Sequence, residues 1–172
     1  TSMGESTIAS GYASTAMGGN TTASGNYSHA KGNTTQASGY ASHAEGANTI
    51  SSGQNSHAEG NSAQATGIGA HAEGLGTTAS GNQSHAEGTN TEAQALHSHA
   101  EGSFTVASQR YTHSEGDRTL ASGIGAHETG FILNENEGDG GTSLTGALVF
   151  GTAAYNAAAT EAMRINLDGK VG

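Results

Sequence analysis

The sequence predicts an all-β fold, a solenoid of about ten stacked 14-residue turns, on three observations. Glycines recur every 14 residues from Gly4 to Gly130 without an insertion. A Ser-His-Ala-Glu-Gly segment runs in phase with them, and an Ala-Ser-Gly segment lies half a period away. Only 19 of the 172 residues are Leu, Ile, Val or Phe, too few for an ordinary globular core of this length. A disordered acidic chain has no need of a register kept through ten units, so we reject disorder despite the net charge of −10.

The composition also excludes several classes of partner and of binding site. The chain has no Cys, which excludes disulfides and thiolate zinc sites. No apolar run approaches the roughly 18 residues that a membrane-spanning helix needs, so we expect no membrane insertion. Five Lys and Arg against fifteen Asp and Glu argue against a nucleic-acid partner. We expect no cofactor.

Each 14-residue unit is too short for two helices and a turn. It can hold two strands of about five residues joined by two tight turns, and stacking such units gives a parallel solenoid. So flat a roll has interior room only for Ala, Ser, Thr and Gly. We expect the phase glycines to occupy turn positions that need positive φ. These are Gly18, Gly32, Gly46, Gly60, Gly74, Gly88, Gly102, Gly116 and Gly130.

Strand alternation assigns the two faces of the Ser-His-Ala-Glu-Gly segment. Ser, Ala and Gly point into the roll, while His and Glu point outward and stack turn upon turn. Eight of the nine histidines keep this phase, and only His97 does not. They are His29, His43, His57, His71, His85, His99, His113 and His127, with Glu45, Glu59, Glu73, Glu87, Glu101 and Glu115 beside them.

This 14-residue unit resembles the head repeats of YadA-like trimeric autotransporter adhesins. The resemblance implies a left-handed parallel β-roll assembled as a homotrimer, with His43 and Glu45 where the family places Val and Ile toward the trimer interior. Met3, Thr15 and Met17 hold these positions in the first turns, nearer the family's apolar pattern. In the later turns a polar seam replaces the apolar one.

The His-Ala-Glu-Gly form is similar to repeats of bacteriophage and prophage appendage proteins, which often carry a C-terminal self-cleaving chaperone domain. Residues 162–172 resemble the short stretch that leads into that domain, which itself is not in this chain. Because residues 1–4 already lie in repeat phase, we expect a piece of a longer protein, with no signal peptide in these residues.

Two regions are predicted: the β-roll repeats over 1–130, and a segment over 131–172 that breaks the repeat. Ten of the 19 large aliphatic and Phe residues lie in the second region. We expect it to form a small β cap over the open end of the roll, or a segment that clasps the trimer. A receptor-binding tip is the alternative.

The outward His and Glu rows have three interpretations. The first is a structural seam at the trimer axis, with His donating to Glu and waters filling gaps. The second is a ring of three symmetry-related imidazoles around an ion or water, a geometry that suits Zn²⁺ or Ni²⁺. A catalytic role is disfavoured, because His-Ala-Glu lacks metalloprotease spacing and repeated identical dyads are unlike one asymmetric active site. If these rows face the trimer axis, we expect the carboxylates to outweigh burial and the neighbouring imidazoles and to raise the pKa of the imidazoles.

The function expected from these features is not enzymatic. We expect a structural and adhesive module of a phage tail or neck appendage, with a host-surface glycan or protein receptor as partner. A bacterial trimeric adhesin head is the alternative, and a polysaccharide-degrading β-solenoid is a weaker one, since the outward rows lack clustered acids and aromatics. The expected location is accordingly a virion or a cell surface.

Overall fold

A computed structural model describes residues 1–131, which form 19 β-strands and no helix. Long strands of four or five residues alternate along the chain with strands of two residues. The long strands are β1 Ser2–Glu5, β3 Thr15–Gly19, β5 His29–Asn33, β7 His43–Ala47, β9 His57–Asn61, β11 His71–Leu75, β13 His85–Thr89, β15 His99–Ser103, β17 His113–Asp117 and β19 His127–Phe131. The short strands are β2 Ile8–Ala9, β4 Thr22–Ala23, β6 Gln36–Ala37, β8 Ile50–Ser51, β10 Gln64–Ala65, β12 Thr78–Ala79, β14 Glu92–Ala93, β16 Val106–Ala107 and β18 Leu120–Ala121.

Every strand pairs in parallel with its equivalent one turn away. The long strands form a ten-stranded sheet and the short strands a nine-stranded one. The pairing is in register, so that His71 lies beside His85 and Ala72 beside Ala86. The predicted parallel solenoid with a 14-residue turn is confirmed, but the two strands of a turn are unequal, five and two residues, rather than about five each.

The corners of the rod are made by residues in the left-handed region, one every seven residues from Ser6 to Gly125, with φ between 50° and 71°. This conformation points the amide along the stack. The N–H of Asn48 donates to the carbonyl of Asn33 at 2.9 Å, and that of Ser62 to the carbonyl of Ala47 at 2.8 Å. The corners therefore keep the hydrogen bonding between turns continuous, and asparagine, which tolerates positive φ, occupies four of them.

The prediction that the phase glycines form the turns is wrong, because they lie within strands. The positive φ predicted for them is confirmed. Each lies fourth in a long strand, with φ between 110° and 127°: Gly18, Gly32, Gly46, Gly60, Gly74, Gly88, Gly102, Gly116 and Gly130. Glycine is needed there because the next turn stacks very close. A Cβ on Gly60 would overlap the carbonyl oxygen of Gly74.

Each turn consists of two similar seven-residue halves. Residues 14–20 read Ser-Thr-Ala-Met-Gly-Gly-Asn and residues 21–27 read Thr-Thr-Ala-Ser-Gly-Asn-Tyr. In both halves the first and third residues point inward, and the seventh has positive φ. The half-turn is thus the structural unit of the rod, although the sequence period is 14.

The interior holds four columns of small side chains, as predicted. Ser and Ala come from the long-strand half and Thr and Ala from the other, and nearly all are fully buried. The serine hydroxyls donate to the carbonyl three residues earlier, as Ser84 does to Gly81 at 2.7 Å. The threonine hydroxyls of residues 21, 35, 49, 77, 91 and 105 are buried and have no hydrogen-bond partner.

The predicted C-terminal cap over 131–172 lies outside the described residues, except that Phe131 ends the last long strand.

Candidate functional site

Eight imidazoles stack in one column on the outer face of the ten-stranded sheet. Neighbouring ring centroids from His29 to His127 lie 4.5–5.0 Å apart. From His57 to His99 the rings are within 8° of parallel. The structure places all the in-phase histidines on the face that strand alternation predicts, because in-register parallel pairing puts each directly over the next.

A second column, two residues along each strand, carries the glutamates. The two columns together, residues 29 to 127 at the His positions and 31 to 115 at the Glu positions, are the His–Glu ladder. In each turn from 43 to 115 the imidazole Nε2 lies 3.5–4.0 Å from the carboxylate Oε2, too far for a good hydrogen bond. The pairs are close enough to interact but do not satisfy each other.

Like charges accumulate along the Glu column. Six carboxylates follow one another on adjacent strands, from Glu45 to Glu115, and strands in a sheet lie about 4.8 Å apart. Two unit charges at that separation in water repel by about 1 kcal/mol, less in salt. The ladder contains one cation, Lys31, which donates to Glu45 at 2.8 Å and holds the pKa of that carboxyl below its usual range. The other carboxylates face solvent at about half exposure.

Within the single chain, the pKa of His85 and of His99 is lowered, and the rise expected at a trimer axis stays a prediction. Burial lowers the pKa of both, and the charges of neighbouring imidazoles lower it further. The nearby carboxylates act in the opposite direction but more weakly. At these two residues the loss of water on burial outweighs the attraction of a carboxylate at about 4 Å.

Four of the stacked imidazoles have an Nε2 that is buried and lacks a hydrogen-bond partner: His57, His85, His99 and His113. At the C-terminal end of the ladder, two trios bring their ligand atoms within 4.8 Å of one another. They are His99, Glu101 and His113, and His113, Glu115 and His127. These residues could hold a metal ion, whereas a ring of three symmetry-related imidazoles stays a prediction.

Sequence reasoning missed a second feature, an aromatic row at one corner. Tyr12, Tyr27 and Tyr40 are exposed, and their rings meet edge to face with centroids 5.5 Å apart. The out-of-phase His97 lies at an equivalent corner and stacks on Tyr111 at 5.4 Å. The 14-residue period could have revealed this row, because these residues occupy two adjacent positions of the repeat unit. Along the linear sequence, however, the tyrosines look scattered.

Comparison of the chain with protein-family models and with curated proteins finds no match. Among residues 1–131, no helix is long and apolar enough to cross a membrane.

Proposed function

We propose that this chain is a structural and adhesive module, a homotrimeric rod of a phage tail or neck appendage that contacts the host surface. The observation that carries the proposal is the His–Glu ladder, a flat polar face that runs along nearly the whole rod. Six of its imidazoles are about 35–40% exposed, and the buried Nε2 atoms of His57, His85, His99 and His113 find no partner among the described residues. A face built this regularly is suited to a second and third copy.

Trimer assembly gives the ladder what a single chain lacks. Three rods around a threefold axis would bring the Nε2–H of one chain to a carboxylate of the next, so that both groups bond without stretching across 3.5–4.0 Å. Interleaving imidazoles would also separate the stacked carboxylates. The resemblance to YadA-like heads supports this arrangement, since the family turns the same two strand positions toward its axis.

The aromatic corner is the candidate contact surface for a receptor. Tyr12, Tyr27 and Tyr40 are at least half exposed in a row, and tyrosine supplies rigid contact area with a polar tip. The same corner carries Asn26 and Gln54 in neighbouring turns. The Oδ1 of Asn26 accepts from the N–H of Tyr12 at 2.9 Å, which leaves its Nδ2 and the amide of Gln54 to bond to sugar hydroxyls. A host-surface glycan fits this chemistry.

A bacterial trimeric adhesin head is the second candidate. Met3 and Met17 favour it, because they put apolar side chains at the ladder position where such heads use Ile.

Assembly is tested by light scattering on the whole chain. We expect a mass of about three times 17.0 kDa. A double variant, His57→Asp with His85→Asp, should weaken the trimer by adding charge to the face, while His97→Asp at the corner should leave the mass unchanged. A folded, monodisperse monomer at micromolar concentration would overturn the trimer.

Receptor class is tested on arrays of glycans and matrix proteins. Binding to bacterial surface polysaccharides that is lost in a Tyr12→Ser, Tyr27→Ser, Tyr40→Ser variant supports the appendage. Binding to animal matrix proteins or glycans would favour the adhesin head instead. Turnover of any polysaccharide into shorter products would contradict both.

A further inference from the structure

We propose that the C-terminal end of the His–Glu ladder binds one Zn²⁺ ion per chain, with His113 as the central ligand. Either the trio of His99, Glu101 and His113 or the trio of His113, Glu115 and His127 surrounds the ion, and water takes the fourth position. The site is formed within one chain. Its imidazoles give their Nε2 atoms to the ion and not to a neighbouring chain, so the hydrogen bonds of the proposed trimer come from the other turns of the ladder.

The distances fit a tetrahedral ion. Zinc bonds imidazole nitrogen and carboxylate oxygen at about 2.0–2.2 Å, which puts two ligand atoms roughly 3.4 Å apart. In these turns Nε2 and Oε2 are 3.8 and 4.0 Å apart, and all three ligand atoms of each trio lie within 4.8 Å. Small side-chain rotations on a rigid sheet therefore complete the site.

The ligand atoms lack other partners within the described part of the chain. The Nε2 atoms of His99 and His113 are buried without a hydrogen-bond partner. The carboxylates of Glu101 and Glu115 stand on adjacent strands with no cation beside them among the described residues. A divalent ion satisfies the nitrogens and neutralises the carboxylates at once.

Among the described residues, trios with ligand atoms this close together occur only at this end of the ladder. In the middle of the ladder, from His57 to His99, the rings are within 8° of parallel. Toward the C-terminal end the rings tilt, by 14° between His99 and His113 and by 30° between His113 and His127. Tilt alone does not make a site, since His43 and His57 are tilted by 41° and belong to no such trio. Because the two trios share His113, one ion fills the site.

The test is zinc binding to the full chain, measured by calorimetry and by metal content after dialysis against zinc chloride. We expect one ion per chain, lost in the His113→Gln variant. His97→Gln, which removes the one described histidine outside the ladder, should bind like the parent chain. Circular dichroism of each variant confirms that the rod has folded. Cobalt added in place of zinc should give the visible absorption of a tetrahedral site.

Three results would overturn the proposal. One ion per three chains would place the ion on a trimer axis. An equal loss of binding in His57→Gln and His113→Gln would mean that the ion has no defined place in the ladder. Several weakly bound ions per chain, without tetrahedral cobalt absorption, would mean only screening of the carboxylates. The mass of the assembly, measured separately, decides the proposed function and not this site.

Discussion

Replacing Gly60 by alanine puts a methyl group where the next turn of the rod already lies. The new Cβ would overlap the carbonyl oxygen of Gly74 and come within 3.0 Å of its carbonyl carbon and its nitrogen. All three are backbone atoms, which cannot rotate away as a side chain can. The residue would also have to hold φ at 119°, which L-residues rarely adopt.

The loss of stability can be calculated from the hydrogen bonds between neighbouring turns. Relieving the overlap takes roughly 1 Å of separation between β9 and β11, which are paired over five residues. A separation of that size lengthens hydrogen bonds of about 2.9 Å past hydrogen-bonding distance. Each lost hydrogen bond costs about 1 kcal/mol. The backbone strain adds about 1–2 kcal/mol. We expect the lost hydrogen bonds and the strain together to lower the free energy of unfolding by about 4 kcal/mol, which is large for a single substitution.

The assay is urea unfolding followed by circular dichroism, with midpoints compared because a repeat protein need not unfold in one step. Gly69→Ala is the matched control. Its φ is 63°, its Cβ would meet nothing nearer than Gln83 Cγ at 3.7 Å, and Ala13 and Ala41 already occupy the same corner in other turns. We expect a loss of at most about 1 kcal/mol there. Equal midpoints for the two variants would refute the argument from stacking distance.

Three further outcomes are expected. Folding lowers the pKa of His85 and His99, so their contribution to stability is complete above about pH 6.5 and is lost as the pH falls below that value. The melting temperature should therefore drop between pH 7.5 and pH 5. The drop should be smaller in a His85→Gln, His99→Gln variant. A higher melting temperature at pH 5 would mean that the carboxylates dominate. Thr91→Val should raise the urea midpoint by the equivalent of about 1 kcal/mol, since it removes a buried hydroxyl without a partner; a loss of stability would reveal a bound water there. Ser84→Ala should lower the midpoint by about 1 kcal/mol, because the bond to the Gly81 carbonyl is lost; no change would show that the corner holds without it.

Much of the ladder could be predicted from the sequence. A constant spacing forces His57 to lie beside His71, and alternation along a strand forces His and Ala to opposite faces. The predicted role of the phase glycines was wrong. Positive φ was expected of them at turns, but the corners are made by residues as different as Tyr27, Asn48 and Phe104. A corner stacked on identical corners is stabilised by its hydrogen bonds to the turns on either side, so it does not need glycine.

The sequence by itself determined the period, the parallel stacking of equivalent residues and the two faces of each strand, because these follow from a repeat without insertions and from strand geometry. Only the tertiary structure decided the properties that depend on distance between turns. Burial lowers the pKa of His99, and the ligand atoms of His99, Glu101 and His113 lie within 4.8 Å of one another. The carbonyl of Gly74, lying against Gly60, leaves room for hydrogen alone. A linear chain specifies which groups become neighbours, but packing sets how closely they approach, and both electrostatic and steric energies depend on that separation.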